Sequence, residues 1–116
     1  MTVPRVTPSV AALARLRGVR GVLLTSLEDA IPIESIGHVD VDLDALAAFA
    51  ATLYRRAHQV AECSSAGAVR LVSLEAESGR LAAAACGELL LVVLAERETN
   101  TGLLRVSLQR TLEELA

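Results

Sequence analysis

The chain has 116 residues and a formal net charge of −3, and 53% of its residues are hydrophobic although only 2% are aromatic. All 11 basic residues are arginines, which excludes the P-loop lysine of nucleotide hydrolases and the lysine Schiff base of pyridoxal phosphate enzymes. The acidic balance and the scarcity of aromatic side chains argue against nucleic acid as a partner, because such partners require a basic surface and stacking platforms.

The hydrophobic content does not indicate membrane insertion. The longest uninterrupted apolar run covers residues 89–95, and these seven residues fall far short of the roughly 20 that a membrane-spanning helix needs. The first residues lack the basic and then apolar pattern of a signal peptide. We interpret the isolated Cys63 and Cys86 as reduced core residues of a cytoplasmic protein, with a disulfide or a reactive thiol as the alternative.

In chain order, a tail over residues 1–8 is expected to precede a single domain over residues 9–116. Ser9 is a candidate N-cap for a first helix, because its hydroxyl can accept a hydrogen bond from a free N–H of the first turn. This helix is expected to end near Arg17, since Gly18 is suited to the left-handed conformation that closes a helix.

A β-hairpin is predicted next. Residues 19–27 and 31–36 are apolar and β-branched enough for two strands, and residues 28–30 read as the turn between them. Pro32 has no N–H to donate to a neighbouring strand, so the second strand is expected at the edge of a sheet.

The clearest prediction is a long central helix that is capped by Asp42 or Asp44 and continues to about Cys63. Apolar residues recur at the i, i+3, i+4, i+7 spacing of one buried face, namely Leu43, Leu46, Ala47, Ala50, Leu53, Tyr54, Ala57, Val60 and Ala61. Polar residues occupy the opposite side, namely Arg55, His58, Gln59 and Glu62.

Small residues follow a second side of the same helix, at Ala45, Ala48, Ala51 and Thr52. Small side chains allow a second helix to approach closely, which predicts a helix–helix contact. The high helix propensity of alanine explains the same pattern without any contact, so both interpretations stay open.

Three further strands are predicted over residues 68–75, 80–86 and 89–95. The last of them shows no polar alternation, so both of its faces should be buried in the middle of a sheet. A final helix should begin after Thr99 or Asn100. The predicted order is α-β-β-α-β-β-β-α, an α/β (α+β) domain with antiparallel strand pairs and helices on both faces of the sheet.

One segment has the residue types of a metal site, with alternating side chains at His38, Asp40, Asp42 and Asp44. A calcium loop of this kind needs Gly at its sixth and Glu at its twelfth position, where this chain has Ala45 and Ala51. Capping of the following helix is the stronger interpretation, because acidic side chains satisfy its free N–H groups. We therefore predict no metal site.

No catalytic or cofactor site is predicted either. The chain has no Gly-x-Ser-x-Gly or Gly-x-Gly-x-x-Gly motif, and no base lies near Cys63 or Ser64 in sequence. Arg55 and Arg56 are candidates for contact with an acidic partner or a nucleotide phosphate, against the alternative of a solvated helix face. The small side chains of residues 82–85 either leave room for a small molecule or pack tightly between sheet and helix.

Two segments resemble the Roadblock (dynein light chain) domain family. Residues 18–24 and 31–35 resemble the family's first hairpin, and residues 99–105 resemble its second signature, in which an Asn and a Gly two residues later open the last helix. The chain departs from the family at Ala30, where the turn usually carries Gly, and at Thr101, where an apolar residue is usual. An alanine in a left-handed turn would be strained.

The resemblance implies a five-stranded antiparallel sheet with the long helix on one face and the terminal helices on the other. It also implies a homodimer, or a heterodimer with a second Roadblock chain, in which the strands after the central helix join into one continuous sheet and the long helices lie side by side. The interface residues expected on this basis are Ala45, Ala48, Ala51, Val69, Leu71 and Ser73.

Members of this family act as regulators and scaffolds for Ras-like small GTPases, including bacterial motility and polarity switches, and as subunits of dynein and lysosomal assemblies. The alanine-rich, lysine-free composition favours the bacterial branch. The leading hypothesis is a non-enzymatic, cytoplasmic homodimer that binds a Ras-like small GTPase and modulates its nucleotide cycle. Its expected contact residues are Arg55, Arg56, Gln59 and Glu62. The alternatives are an assembly subunit without a GTPase partner and a small-molecule sensor.

Overall fold

The computed structural model describes residues 8–38 and 40–115, and the elements within them follow the predicted order. The helices are α1 (Pro8–Ala14), α2 (Leu43–Cys63) and α3 (Thr101–Leu115). The strands are β1 (Val19–Ser26), β2 (Pro32–Gly37), β3 (Val72–Ala76), β4 (Gly79–Cys86) and β5 (Leu89–Ala95). Residues 1–7 of the predicted tail lie outside the described residues, and Pro8 is already part of α1.

The strands form one antiparallel sheet in the order β2-β1-β5-β4-β3. Strand β2 is an edge strand, as Pro32 predicts, and its register with β1 shifts between Leu24 and Thr25. Strand β5 lies in the centre, and its uniformly apolar sequence is buried on both faces. The other edge is β3, which pairs with β4 over its whole length without a register shift.

Helices cover both faces of the sheet and create two core clusters. On one face, α1 and α3 contribute Val10, Leu13, Leu104 and Leu108, which pack on alternate residues of β1, β4 and β5. On the other face, α2 contributes Ala47, Ala50 and Ala51, which pack on the intervening residues, including Leu23, Leu90 and Val92. This arrangement confirms the expected α+β fold, with the long helix on one face and the terminal helices on the other.

Two of the three predicted helix caps are present. The prediction of Ser9 as the first cap is wrong, because α1 already includes Pro8 and the Ser9 hydroxyl has no hydrogen-bond partner among the described residues. The Asp42 side chain accepts a hydrogen bond from the backbone N–H of Ala45 at 3.1 Å, which satisfies a free donor of the first turn of α2. At the start of α3, the side-chain oxygen of Asn100 accepts a hydrogen bond from the Leu103 N–H at 3.0 Å. Asp42 and Asn100 therefore act as caps, and each is one of the two alternatives that the sequence offered.

Two predicted boundaries are wrong. The first helix ends at Ala14 instead of near Arg17, and the chain turns through residues 15–18 to a left-handed Gly18 with φ of 90°. The strand predicted over residues 68–75 begins only at Val72. Before Val72 the Val69 carbonyl accepts a hydrogen bond from the Tyr54 hydroxyl of α2 at 2.8 Å.

The hairpin turn contains the strain that the departure at Ala30 suggests. Ala30 has a φ of 55°, a left-handed conformation that costs an L-residue roughly 1–2 kcal/mol. Its N–H donates a hydrogen bond to the Ser26 carbonyl at 2.9 Å, so the turn closes despite the side chain.

Among the described helices, none combines the length and apolarity needed to cross a bilayer.

Candidate partner-binding surface

The outer face of α2 carries large apolar side chains that the chain's own core does not cover. Phe49 is 74% exposed and Val60 is 68% exposed. Their spacing of eleven residues is close to three helical turns, so both point to the same side of α2, and Arg56 lies between them. We call Phe49, Arg56 and Val60 the outer stripe of α2.

The buried face predicted for α2 is therefore wrong at Val60. The fully or nearly fully buried residues of α2 are Ala47, Ala50 and Ala51, which all lie in the first half of the helix. Val60 belongs to the second half, where the helix packs less closely on the sheet and this side chain points away from it. Phe49 does not lie on the apolar face that the periodicity of α2 defines. That position is the feature of the sequence that indicates an exposed aromatic side chain.

The residues on the predicted small-residue side of α2 differ in how exposed they are. Ala48 is exposed and Ala45 is partly buried, so both can approach a partner. Ala51 is 0% exposed because it packs on the sheet with Leu23 and Val92. Ala51 therefore belongs to the core of its own chain and offers no exposed surface to a second helix.

The polar residues of α2 have different partners. Arg55 donates a hydrogen bond from Nη1 to the Leu27 carbonyl at 2.7 Å, which ties the helix to the end of the first hairpin strand. Arg56 donates from Nη1 to Oε1 of Gln59 at 3.1 Å. His58 and Glu62 lie one turn apart, with Nε2 and Oε1 separated by 3.3 Å.

Three of the four predicted contact residues line one shallow depression. Arg55, Gln59 and Glu62 surround it together with Leu27, Tyr54 and His58, and its volume is about 420 Å³. Arg56 instead lies on the outer stripe of α2. The sequence prediction omitted Leu27, because a residue from the hairpin reaches this depression only through the tertiary fold.

The β3 edge presents a second uncovered region on the same side of the sheet as α2. Leu74 pairs with Leu81, whose side chain belongs to the core cluster under α2. Because α2 packs mainly on β1, β2 and β5, Leu74 remains 45% exposed. Phe49 and Val60 on α2 and Leu74 on β3 are therefore three exposed apolar side chains on the α2 side of the sheet.

The predicted edge residues lie at different places. Ser73 is an exposed residue of β3, as expected for the sheet edge. Val69 and Leu71 precede the strand, so the expectation that they belong to it is wrong. Leu71 packs against the core cluster under α1 and α3, and the Val69 carbonyl is engaged by Tyr54.

The acidic segment before α2 does not assemble into a ligand set. Asp40 forms an ion pair with Arg20, and Asp42 caps α2. Within residues 8–38 and 40–115, no three His, Cys, Asp or Glu side chains are grouped so that they could hold a metal ion. Both cysteines are free thiols, but the interpretation of Cys63 as a core residue is wrong because it is exposed, whereas Cys86 is partly buried.

Comparisons with known proteins agree with this architecture. The sequence model described as the Roadblock/LC7 domain matches residues 9–95. Two uncharacterized proteins of Methanocaldococcus jannaschii are 27% and 26% identical over 103 residues, which cover 89% of this chain and 90% of each relative.

Similar solved structures show the same fold. A Roadblock/LC7 domain from Streptomyces avermitilis has a TM-score of 0.84 at 24% identity and covers 92% of this chain and 91% of its own. Myxococcus xanthus MglB has a TM-score of 0.83 at 22% identity, covering 94% and 92%. The gliding protein MglB from Thermus thermophilus has a TM-score of 0.81 at 20% identity, covering 93% and 83%.

Proposed function

The chain belongs to the Roadblock/LC7 family, and from this premise we propose that it is a non-enzymatic homodimer that binds a Ras-like small GTPase and modulates its nucleotide cycle. The observation that carries the proposal is the exposure of three apolar side chains on the α2 side of the sheet, Phe49, Val60 and Leu74, together with the open sheet edge formed by β3. Exposed apolar side chains and an open sheet edge are both typical of a protein–protein interface.

The two edges of the sheet differ in a way that favours β3 as the dimer edge. Strand β2 carries Pro32 and a register shift, and both features hinder pairing with a further strand. Strand β3 has neither feature. Antiparallel pairing of two β3 strands about a two-fold axis would extend the sheet across both copies.

The same symmetry would bring the outer stripes of the two α2 helices towards each other. Phe49 is the largest exposed apolar side chain of α2, and burial of such a side chain contributes about 1.5–3 kcal/mol per copy. Ala48 next to it is small enough to permit close approach of the second helix. The dimer would thus cover the region that one chain leaves exposed.

We place the GTPase contact on the depression lined by Arg55, Gln59 and Glu62, with Arg56 beside it. These side chains supply both charges and amide groups, which suits a polar partner surface. Pairing of the α2 helices would set two such depressions on one side of the dimer, so that a single platform faces the partner. No residue of this platform is assigned a catalytic role.

Binding to the Ras-like small GTPases of the source genome, each loaded with GDP or with a non-hydrolysable GTP analogue, tests the proposal. We expect one of them to bind in a nucleotide-dependent manner and its rate of nucleotide turnover to change. The double variant Gln59→Lys, Glu62→Lys should weaken this binding at least about tenfold, because it replaces an amide and a carboxylate of the depression with cations and leaves the outer stripe of α2 unchanged. Arg55 is left intact because it also holds the Leu27 carbonyl.

Arg97→Glu is the matched control, since Arg97 is an exposed arginine in the turn before α3, outside the platform. It should bind the GTPase as the unmodified protein does. Equal binding of both nucleotide states with no change in turnover would contradict a regulatory role and favour an assembly subunit. Retained affinity in the double variant would move the contact site away from α2.

A further inference from the structure

A small cavity lies on the face of the sheet opposite α2, between β3, β4 and α3. Its volume is about 210 Å³. The apolar part of its wall includes Ala82, Leu104 and Leu108, which belong to the core under α1 and α3. Ala82 is the first residue of the alanine run in β4, and its short side chain leaves part of this space open.

The polar wall of the cavity contains an arginine whose hydrogen-bonding capacity is incompletely used. Arg80 lies opposite Glu75 in the β3–β4 ladder, and its Nη2 is 3.4 Å from Oε1 of that residue. The Nε of Arg80 is buried and has no hydrogen-bond partner among the residues that the structure describes. A buried N–H donor without an acceptor is unfavourable, so a ligand acceptor at this place would stabilise the side chain.

The charge around the cavity favours an anion. Arg105 of α3 lines the wall and makes no ion pair within the described part of the chain. Arg80 forms an ion pair with one carboxylate, that of Glu75. Thr101 places the first turn of α3 at the same wall, where the helix dipole adds partial positive charge. Two guanidinium groups against one carboxylate leave a net positive charge.

The size of the cavity limits the ligand. Nucleotides and cofactors need larger pockets, commonly of about 300–1,000 Å³. An anion with a short apolar chain matches both the volume and the division of the wall into apolar and basic parts.

We propose that this cavity binds a short-chain aliphatic carboxylate. Arg80 and Arg105 hold the carboxylate group, since a guanidinium group matches the geometry of a carboxylate. The hydrocarbon chain packs on Ala82, Leu104 and Leu108. The site lies on the opposite face of the sheet from the α2 platform, so it goes beyond the proposed GTPase contact and does not depend on it.

Titration of the full chain with pentanoate, followed by amide chemical shifts in NMR spectra, tests this site. We expect saturable shift changes at Ala82, Thr101 and Leu104, with a dissociation constant of about 1 mM or below. Pentanamide has nearly the same shape without the charge and should bind at least about tenfold more weakly. Sodium chloride at equal ionic strength should not reproduce the shifts.

Substitutions separate ligand contact from structural effects. Arg80→Met should raise the dissociation constant for pentanoate at least about tenfold, whereas Arg97→Gln should leave it unchanged. Glu75→Gln should lower it about two- to threefold, because it removes the carboxylate that competes for Arg80. If Arg80 only stabilised the fold, Arg80→Met and Glu75→Gln would not change the dissociation constant for pentanoate in opposite directions.

Three outcomes would overturn the proposal. They are an absence of saturable shifts at concentrations up to about 20 mM, equal affinity for pentanamide, and unchanged affinity in a folded Arg80→Met variant. Binding of an acidic amphipathic peptide at Arg80 and Arg105 without binding of pentanoate would likewise reject it in favour of a protein-docking groove. Each of these results leaves the GTPase proposal to be judged by its own experiment.

Discussion

At the scale of single residues, glycines with positive φ differ in how strongly the fold requires them. Gly18 has a φ of 90° and Gly67 a φ of 88°, so any L-residue would be strained at either position. The two sites differ in their surroundings. A Cβ at Gly18 would overlap the Thr99 side chain, whereas a Cβ at Gly67 would have no heavy atom within 4 Å.

We therefore expect Gly18→Ala to lower the free energy of unfolding by more than Gly67→Ala. Both substitutions carry the cost of a left-handed L-residue, about 1–2 kcal/mol. The overlap at Gly18 should add about 1–3 kcal/mol, the usual range for overpacking. Chemical denaturation of the two single variants measures this difference.

A double variant shows whether the overlap is the cause. Thr99→Ala removes the hydroxyl and the methyl group that the new Cβ would meet, so it should recover part of the stability lost in Gly18→Ala. Equal destabilisation by Gly18→Ala and Gly67→Ala would show that backbone strain alone accounts for both.

At the scale of elements, one hydrogen bond connects the middle of α2 with the approach to β3. The Tyr54 hydroxyl donates to the Val69 carbonyl at 2.8 Å across a 15-residue separation. The residues between α2 and β3 include two with positive φ, Ser65 and Gly67, and none of them pairs with the sheet. The position of this connection therefore depends strongly on Tyr54.

We expect Tyr54→Phe to destabilise the protein by about 1 kcal/mol, because it leaves the Val69 carbonyl without this partner. In a domain of this size, that change corresponds to a decrease in Tm of about 4–8 °C. Hydrogen exchange should become faster over residues 64–71, where local opening is no longer opposed by the hydroxyl.

Thr52→Ala is the control, since the Thr52 hydroxyl donates to the Ala48 carbonyl and accepts from Nη2 of Arg55 at 3.4 Å, and both partners lie within α2. It removes a hydrogen bond from the same helix without affecting the connection. Exchange over residues 64–71 should therefore remain unchanged in Thr52→Ala. If Tyr54→Phe also leaves hydrogen exchange over residues 64–71 unchanged, the Tyr54 hydroxyl does not hold those residues in place.

At the scale of the whole molecule, the side of the sheet that carries α2 is incompletely covered. Phe49 and Val60 on α2 and Leu74 on β3 are all exposed there. Large apolar side chains of this kind are more often buried in a core. One chain has no further described element to place over them. A second copy joined at β3 would cover this region and would also explain a high hydrophobic content in a small domain.

We expect sedimentation equilibrium at micromolar concentration to give twice the 12.2 kDa mass of one chain. Phe49→Glu should raise the dimer dissociation constant at least about 100-fold, because two copies of the side chain lose their burial. The Tm of the unmodified protein should also rise with protein concentration, since association stabilises the folded state.

Leu103→Glu provides the comparison, as Leu103 is similarly exposed but lies on α3, on the other face of the sheet. It should remain dimeric. A monomeric unmodified protein would contradict the dimer, and equal dissociation in both variants would show that α2 is not specifically involved.

The sequence by itself predicts those features that neighbouring residues decide. Asp42 and Asn100 cap their helices, Pro32 lies on an edge strand, and β5 is buried on both faces, all as predicted. Capping, the missing proline N–H and the pattern of a strand buried on both faces depend on local chemistry or on consecutive residues. For this reason the order of elements and the fold class follow from the chain without its coordinates.

Only the tertiary structure decided which surfaces remain uncovered. Periodicity predicted that Val60 is buried and placed Ala51 on a small-residue side of α2, whereas the structure exposes Val60 and buries Ala51 against the sheet. The late start of β3 and the cavity at Arg80 likewise depend on residues that are distant in sequence. Burial is a property of the packed elements together, so a helical pattern can locate a face but cannot determine how much of it a neighbour covers.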